Sequence, residues 1–185
     1  FGGYTGYVNT YSFAAGEVVL PHIVVGDGLD VIRNLTVWPS IVAHTKLVVA
    51  FGGIPMKNTQ VHAGGIGDHT VKGWLERCAE AGVEFVNIGP IRDDFPDFVK
   101  AEWIAPRPNT DTAIMLGLAH TLLVEGLHDQ AFLDRYTSGF DVFRDYLEGR
   151  RDGIVKDAEF AARISGLEAE TIRDAVGPDV DIMLD

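Results

Sequence analysis

The chain has 185 residues, 46% of them hydrophobic and 23% charged, which is enough to bury one sizeable core in a single α/β domain. A formal net charge of −12 without any Lys/Arg cluster argues against nucleic acid as a partner. The longest apolar stretch, Ile114–Val124, is far shorter than the roughly 20 residues that cross a bilayer, so membrane insertion is not expected. With only Cys78, the chain offers neither an internal disulfide nor a cysteine-held metal cluster, and its compartment is left open.

The chain opens at Phe1 with no secretory pattern, which suggests a segment from inside a longer protein. Lys46–Phe51 (KLVVAF) and Val83–Ile88 (VEFVNI) are apolar runs that end in Gly and Pro, as expected of strands buried on both faces of a parallel sheet. Between them Val71, Trp74, Leu75, Cys78 and Ala79 recur at helical spacing. Asp68 is placed to cap the start of that helix and Gly82 to stop it, so Lys46–Ile88 reads as a right-handed βαβ unit with Cys78 as an inert core residue.

A third strand is expected at Ala101–Ala105, ended by the turn Pro106-Arg107-Pro108. Asn109 or Thr110 then caps a helix whose body, Thr112–Val124, is apolar nearly all round and predicts burial between layers, with Gly126 at its end. Short amphipathic helices follow around Ala131–Tyr136, Phe140–Leu147, Ala158–Ile164 and Glu168–Val176, with Gly149 and Gly166 at C-terminal positions. Val176–Asp185 reads as a turn and then a strand.

Ligands of open parallel sheets bind beyond the carboxyl ends of the strands, which directs attention to three loops. After the first strand, Gly52 and Gly53 let a phosphate or ring approach the backbone and Lys57 offers a cation; a plain structural turn is the other reading. After the second strand, Gly89-Pro90-Ile91-Arg92 supplies a guanidinium for a phosphate or merely solvated charge. After the third, Pro108-Asn109-Thr110-Asp111 puts an acid at a helix start, either as a helix-dipole partner or as an acceptor for the two N–H positions of guanine. His62, Asp68 and His69 could hold a metal, but a loop with a capping aspartate is the simpler reading.

Tyr11–Ile23 (YSFAAGEVVLPHI), Trp38-Pro39, Pro55-Met56-Lys57 and above all Ala105–Phe143, with its PRPNTD turn and MLGLAHTL helix, resemble one stretch of the dimethyl sulfoxide reductase family, nearest to the S- and N-oxide reductases. The resemblance covers about residues 1–175 and leaves 176–185 as a tail without a match. It implies a Rossmann-like three-layer α/β domain with a mainly parallel sheet and helices on both faces. It also implies a grip on molybdopterin guanine dinucleotide, two of which (bis-MGD) carry molybdenum in the parent enzyme. The implied binding residues are Gly52, Gly53, Pro55, Lys57, Asn58 and Thr59, then Gly89, Pro90 and Arg92, then Pro108, Asn109 and Asp111, with Asp111 on the guanine.

The implied partners are the remaining domains of the parent and a small sulfoxide or amine N-oxide. The family occurs in both cytoplasm and periplasm. Its molybdenum-ligating serine precedes this stretch, so no catalytic or metal-ligating residue is assigned here. Ile54 and Gly89 stand where the family has Asn or Asp before the proline, which supports an alternative, a non-catalytic α/β nucleotide-binding module that has lost the molybdenum cofactor.

Overall fold

The structure is a computed structural model that describes residues 2–6, 14–24, 35–62 and 66–176. It divides into two compact units, Phe1–Ile41 and Val42–Asp185. In the first part of the chain, helix α1 spans Ala14–Val19 and runs into a short helical turn at Leu20–His22, and helix α2 spans Trp38–His44.

The second unit carries the sheet. Strand β1 (Leu47–Phe51) is followed by a two-residue hairpin, β2 (Val61–His62) with β3 (Ile66–Gly67), which the sequence patterning did not suggest. Helix α3 (Val71–Glu80) leads to β4 (Glu84–Ile88), and two short helical turns lead to β5 (Glu102–Ile104). The order is β1-β4-β5, all parallel, with Val49 opposite Val86 and Ile88 opposite Ile104. The expected βαβ unit is therefore present.

Strand order places the layers. Successive parallel strands step the same way across the sheet, so right-handed crossovers put α3 and the Arg92–Lys100 connection on one face. Val86, Ile88 and Ile104 point to the other face, into a core with Ile114, Leu118, Ala158, Ala161 and Ile172. These come from α4 (Asp111–Val124), α7 (Ala158–Ser165) and α8 (Ala169–Asp174). Helices α5 (Gln130–Tyr136) and α6 (Phe140–Leu147) lie between α4 and α7 in sequence. At Gly117 a Cβ would come within 2.8 Å of the Ala161 Cβ, so that glycine lets α4 and α7 approach closely.

Several local expectations change. Strand β1 is only half-buried throughout, because it stands at an edge of the described sheet, whereas β4 has a neighbour on each side and buries all but Glu84. Thr70, not Asp68, occupies the position before α3, and the Thr70 side chain makes no capping hydrogen bond. Thr110 precedes α4, but its hydroxyl donates to the Arg107 carbonyl at 2.6 Å instead of capping; Asn109 takes a left-handed conformation, φ 64°. Helix α4 is apolar all round yet not buried all round. Ala113, Ile114, Gly117, Leu118 and Thr121 are covered, while Met115 and Val124 are exposed.

Gly82 and Gly126 follow α3 and α4 with positive φ, and Gly166 closes α7 the same way, as the helix-stop reading requires. Cys78 is fully buried, and burial pushes its thiol pKa upward. The tail strand expected within Val176–Asp185 lies outside the described residues, apart from Val176, which is buried in the core.

Candidate functional site

The site is built where the parallel strands end together. The ladder extends one residue beyond the strands: the Gly52 N–H donates to the Ile88 carbonyl at 2.9 Å, and the Gly89 N–H to the Ile104 carbonyl at 3.0 Å. Three parallel strands thus release the loops at Gly52, Gly89 and Pro108 on one edge, as expected from the sequence.

The first two loops touch through backbone. Gly53 has φ 75°, and a Cβ there would lie 2.2 Å from the Asp94 carbonyl oxygen, so both conformation and contact exclude a side chain. Lys57 lies beyond, in the turn Met56–Asn58, exposed and 3.7 Å from an Asp94 carboxylate oxygen. That exposed pair is weak, and its cation remains largely in solvent. Pro55 precedes the turn, Asn58 is exposed within it, and the Thr59 hydroxyl closes it onto the Met56 carbonyl at 2.9 Å.

The second loop contributes Gly89, which is buried, then Pro90 and Arg92, which are exposed. Ordinary space exists for a Cβ at Gly89, 3.5 Å from the Gly52 Cα and 3.7 Å from Asn87 Oδ1, so glycine is not sterically required there. The third loop is braced from behind by the helical layer. The Arg107 N–H donates to the Ser165 carbonyl at 2.8 Å, and its guanidinium reaches the Ile164 carbonyl at 3.5 Å. This fixes the turn from which Pro108, Asn109 and Asp111 project, all exposed, with Asp111 in the first turn of α4. A helix start favours an acid and also exposes backbone N–H groups.

Two residues in this neighbourhood escaped the sequence reading. Asn87 is 1% exposed on the β4 face away from the main core; its Nδ2 makes a long 3.4 Å bond to the Arg92 carbonyl, and its Oδ1 has no partner among the described residues. An unpartnered buried acceptor costs about 1–3 kcal/mol. Trp103, opposite Asn87 on β5, is 41% exposed and donates its indole N–H to the Gly89 carbonyl at 2.9 Å. Both line a cleft of about 410 Å³ with Arg92, Phe95, Asp97 and Lys100. The available signal was the amide at an inner position of an otherwise apolar buried strand.

No group of three metal-ligating side chains occurs among the described residues, and the His62 side chain lies outside them. Likewise, no helix among the described residues is long and apolar enough to cross a membrane.

The fold defines an α/β domain with an open, all-parallel three-stranded sheet. It resembles part of the acetylene hydratase from Pelobacter acetylenicus, with a TM-score of 0.57 over 72% of this chain and 16% of that one, at 22% identity, a likeness of fold. No family model matches the chain. Similarity to curated proteins is much more specific. The chain is 46% identical over 176 residues to biotin sulfoxide reductase of Cereibacter sphaeroides, covering 95% of this chain and 24% of that protein. It is 41% identical to the dimethyl sulfoxide/trimethylamine N-oxide reductase of the same organism, over 94% of the chain and 21% of the relative. Against trimethylamine-N-oxide reductase of Haemophilus influenzae the identity is 35%, over 93% and 20%. The chain is therefore homologous to one segment of these sulfoxide and N-oxide reductases, spanning about a fifth to a quarter of their length.

Proposed function

We propose that this chain is the nucleotide-gripping segment of a molybdenum oxidoreductase that reduces sulfoxides or amine N-oxides by oxygen-atom transfer. The observation that carries the reading is the shared edge, where two glycine loops meet without side chains between them and exposed Arg92, Lys57 and Asp111 surround the strand ends. The homology over nearly the whole chain supports the same assignment.

The residues present suit a guanine dinucleotide of molybdopterin, in the bis-MGD form. Gly52, with open space beside it, allows close approach of a phosphate to backbone, Gly53 and Gly89 let the adjoining loops pack behind it, Arg92 and Lys57 neutralise the phosphate, and Asp111 accepts from two guanine N–H groups. Pro55, Asn58, Thr59, Pro90, Pro108 and Asn109 shape the surrounding turns. The bound molybdenum centre would supply the two-electron oxygen-atom chemistry. Among the described residues, this segment's contribution is binding and placement. The domain is taken as residues 1–175, with 176–185 a tail without a family match, and its partners as the other domains of a larger enzyme and a small oxide substrate.

Ile54, and Gly89 in a place with room for a side chain, favour a second reading, an α/β nucleotide-binding module without the molybdenum cofactor. Molybdenum analysis of the full-length protein, with assay of guanosine monophosphate after acid hydrolysis, separates the two. Stoichiometric metal and nucleotide are expected; nucleotide binding without metal would establish the module.

A further inference from the structure

We propose that Asn87 is a further nucleotide-binding residue, and that the cleft beside Trp103 receives part of the nucleoside monophosphate end of the ligand. This rests on the nucleotide reading above and extends it to a residue and a face of the sheet that reading does not use.

The argument begins with a buried amide. A side-chain carbonyl accepts two hydrogen bonds, and buried polar groups are nearly always paired. Asn87 is 1% exposed, and its Oδ1 has no partner among the described residues. Its Nδ2 tie to the Arg92 carbonyl is 3.4 Å, long for an N–H···O bond, so only a weak contact holds the Arg92 segment over the amide. The unsatisfied atom is an acceptor, and what completes it is an O–H or N–H donor. Sugar hydroxyls and ring N–H groups of a nucleotide are such donors.

The surroundings match the rest of that ligand. Asn87 lines the 410 Å³ cleft together with Arg92 and Lys100, whose cations suit a phosphoryl group. Trp103 is held by its bond to the Gly89 carbonyl, yet remains 41% exposed, leaving indole surface for a flat ring. Asp97 adds a second acceptor. Cations, a partly exposed aromatic surface and an unpaired buried acceptor converge on one cleft, the combination of polar and stacking contacts that fixes a small ligand's orientation. Asn87 also lies two residues before Gly89 on β4, so the cleft adjoins the candidate loops.

The test uses the full-length enzyme containing this segment, with Asn87→Leu, Asn87→Ser and Asp111→Ala. The readouts are the rate at which guanosine monophosphate, measured after acid hydrolysis, is lost during dialysis, and the melting temperature of the cofactor-free protein. Asn87→Leu is expected to raise the loss rate about five- to tenfold, the effect of one hydrogen bond, while leaving cofactor-free melting unchanged or higher because an unpaired buried acceptor is removed. Should the leucine variant fail to fold, Asn87→Ser is expected to give the same increase, since its shorter side chain withdraws the acceptor from the cleft. Unchanged nucleotide loss in the Asn87 variants, with faster loss in Asp111→Ala, would overturn the role of Asn87 and leave the nucleotide reading standing. If neither position affects retention, the nucleotide reading itself fails. Lower melting of the cofactor-free protein with unchanged retention would make Asn87 a structural residue only.

Discussion

At the carboxyl edge of the sheet, the chain keeps its charges exposed and leaves the oxygen of the fully buried Asn87 unpaired; in the α4–α8 layer the fully buried polar residues Thr121, Lys156 and Ser165 are paired, although single buried atoms of the half-buried His128, Arg144 and Glu148 lack a hydrogen-bond partner. Thr121 donates to the Gly117 carbonyl at 3.0 Å, and Ser165 accepts from the Leu167 N–H at 3.3 Å. Lys156 is only 2% exposed, yet its ammonium contacts both Asp152 oxygens at 2.7–2.9 Å, donates to the Ile154 carbonyl at 2.5 Å, and lies 4.1 Å from the Tyr146 ring centre. Asn87 Oδ1 has no such partner. Glycine serves different ends too: Gly117 admits a helix, whereas Gly53 admits only another loop's backbone. Pairing of the fully buried polar residues of the layer supports stability, while available groups at the edge support binding.

This contrast is broken most severely by Gly53→Ala. The added Cβ meets the Asp94 carbonyl while the backbone stays left-handed, so destabilisation of about 2–5 kcal/mol is expected together with loss of nucleotide binding. Chemical denaturation and a nucleotide assay on the same variant would read both.

Ile114→Ala should separate stability from binding. Ile114 is 1% exposed in the core, so truncation is expected to cost about 2–4 kcal/mol while nucleotide content per folded molecule stays unchanged. Altered nucleotide affinity in the folded fraction would show that the two regions are not independent.

Asp111→Ala is the complementary change. Nucleotide retention should fall by roughly 1.5–3 kcal/mol for each charge-assisted bond lost, while stability changes by less than about 1 kcal/mol through the helix dipole. Equal retention in the two proteins would confine Asp111 to the dipole role.

The smallest effect concerns pH. Hydrogen bonds from Lys156 and the Ile154 N–H hold the Asp152 carboxyl below its ordinary pKa. A carboxylate depressed on folding stabilises the protein above its unfolded value, roughly pH 3.9, and that contribution is lost as pH falls through the lower folded value. Asp152→Asn should therefore flatten the acid limb of a stability–pH profile and leave the pH dependence above about pH 5 nearly unaltered; an unchanged acid limb would remove Asp152 from it.

Much of the fold was legible because it depends on local signals. The VEFVNI run, the Val71–Ala79 spacing and the glycine stops specify the βαβ unit and most helix ends, since hydrophobic period and positive-φ positions are written residue by residue. The PRPNTD turn and its helix were legible as a family resemblance, and the three loops followed from strands running in parallel. Tertiary structure alone decided the rest. Whether β1 is an edge strand depends on its neighbours, as does which side of an all-apolar α4 is covered. The pairing of Gly53 with Asp94, the burial of Lys156 and the unpaired Asn87 oxygen arise from segments brought together by folding, and pairing across space leaves no period along the chain.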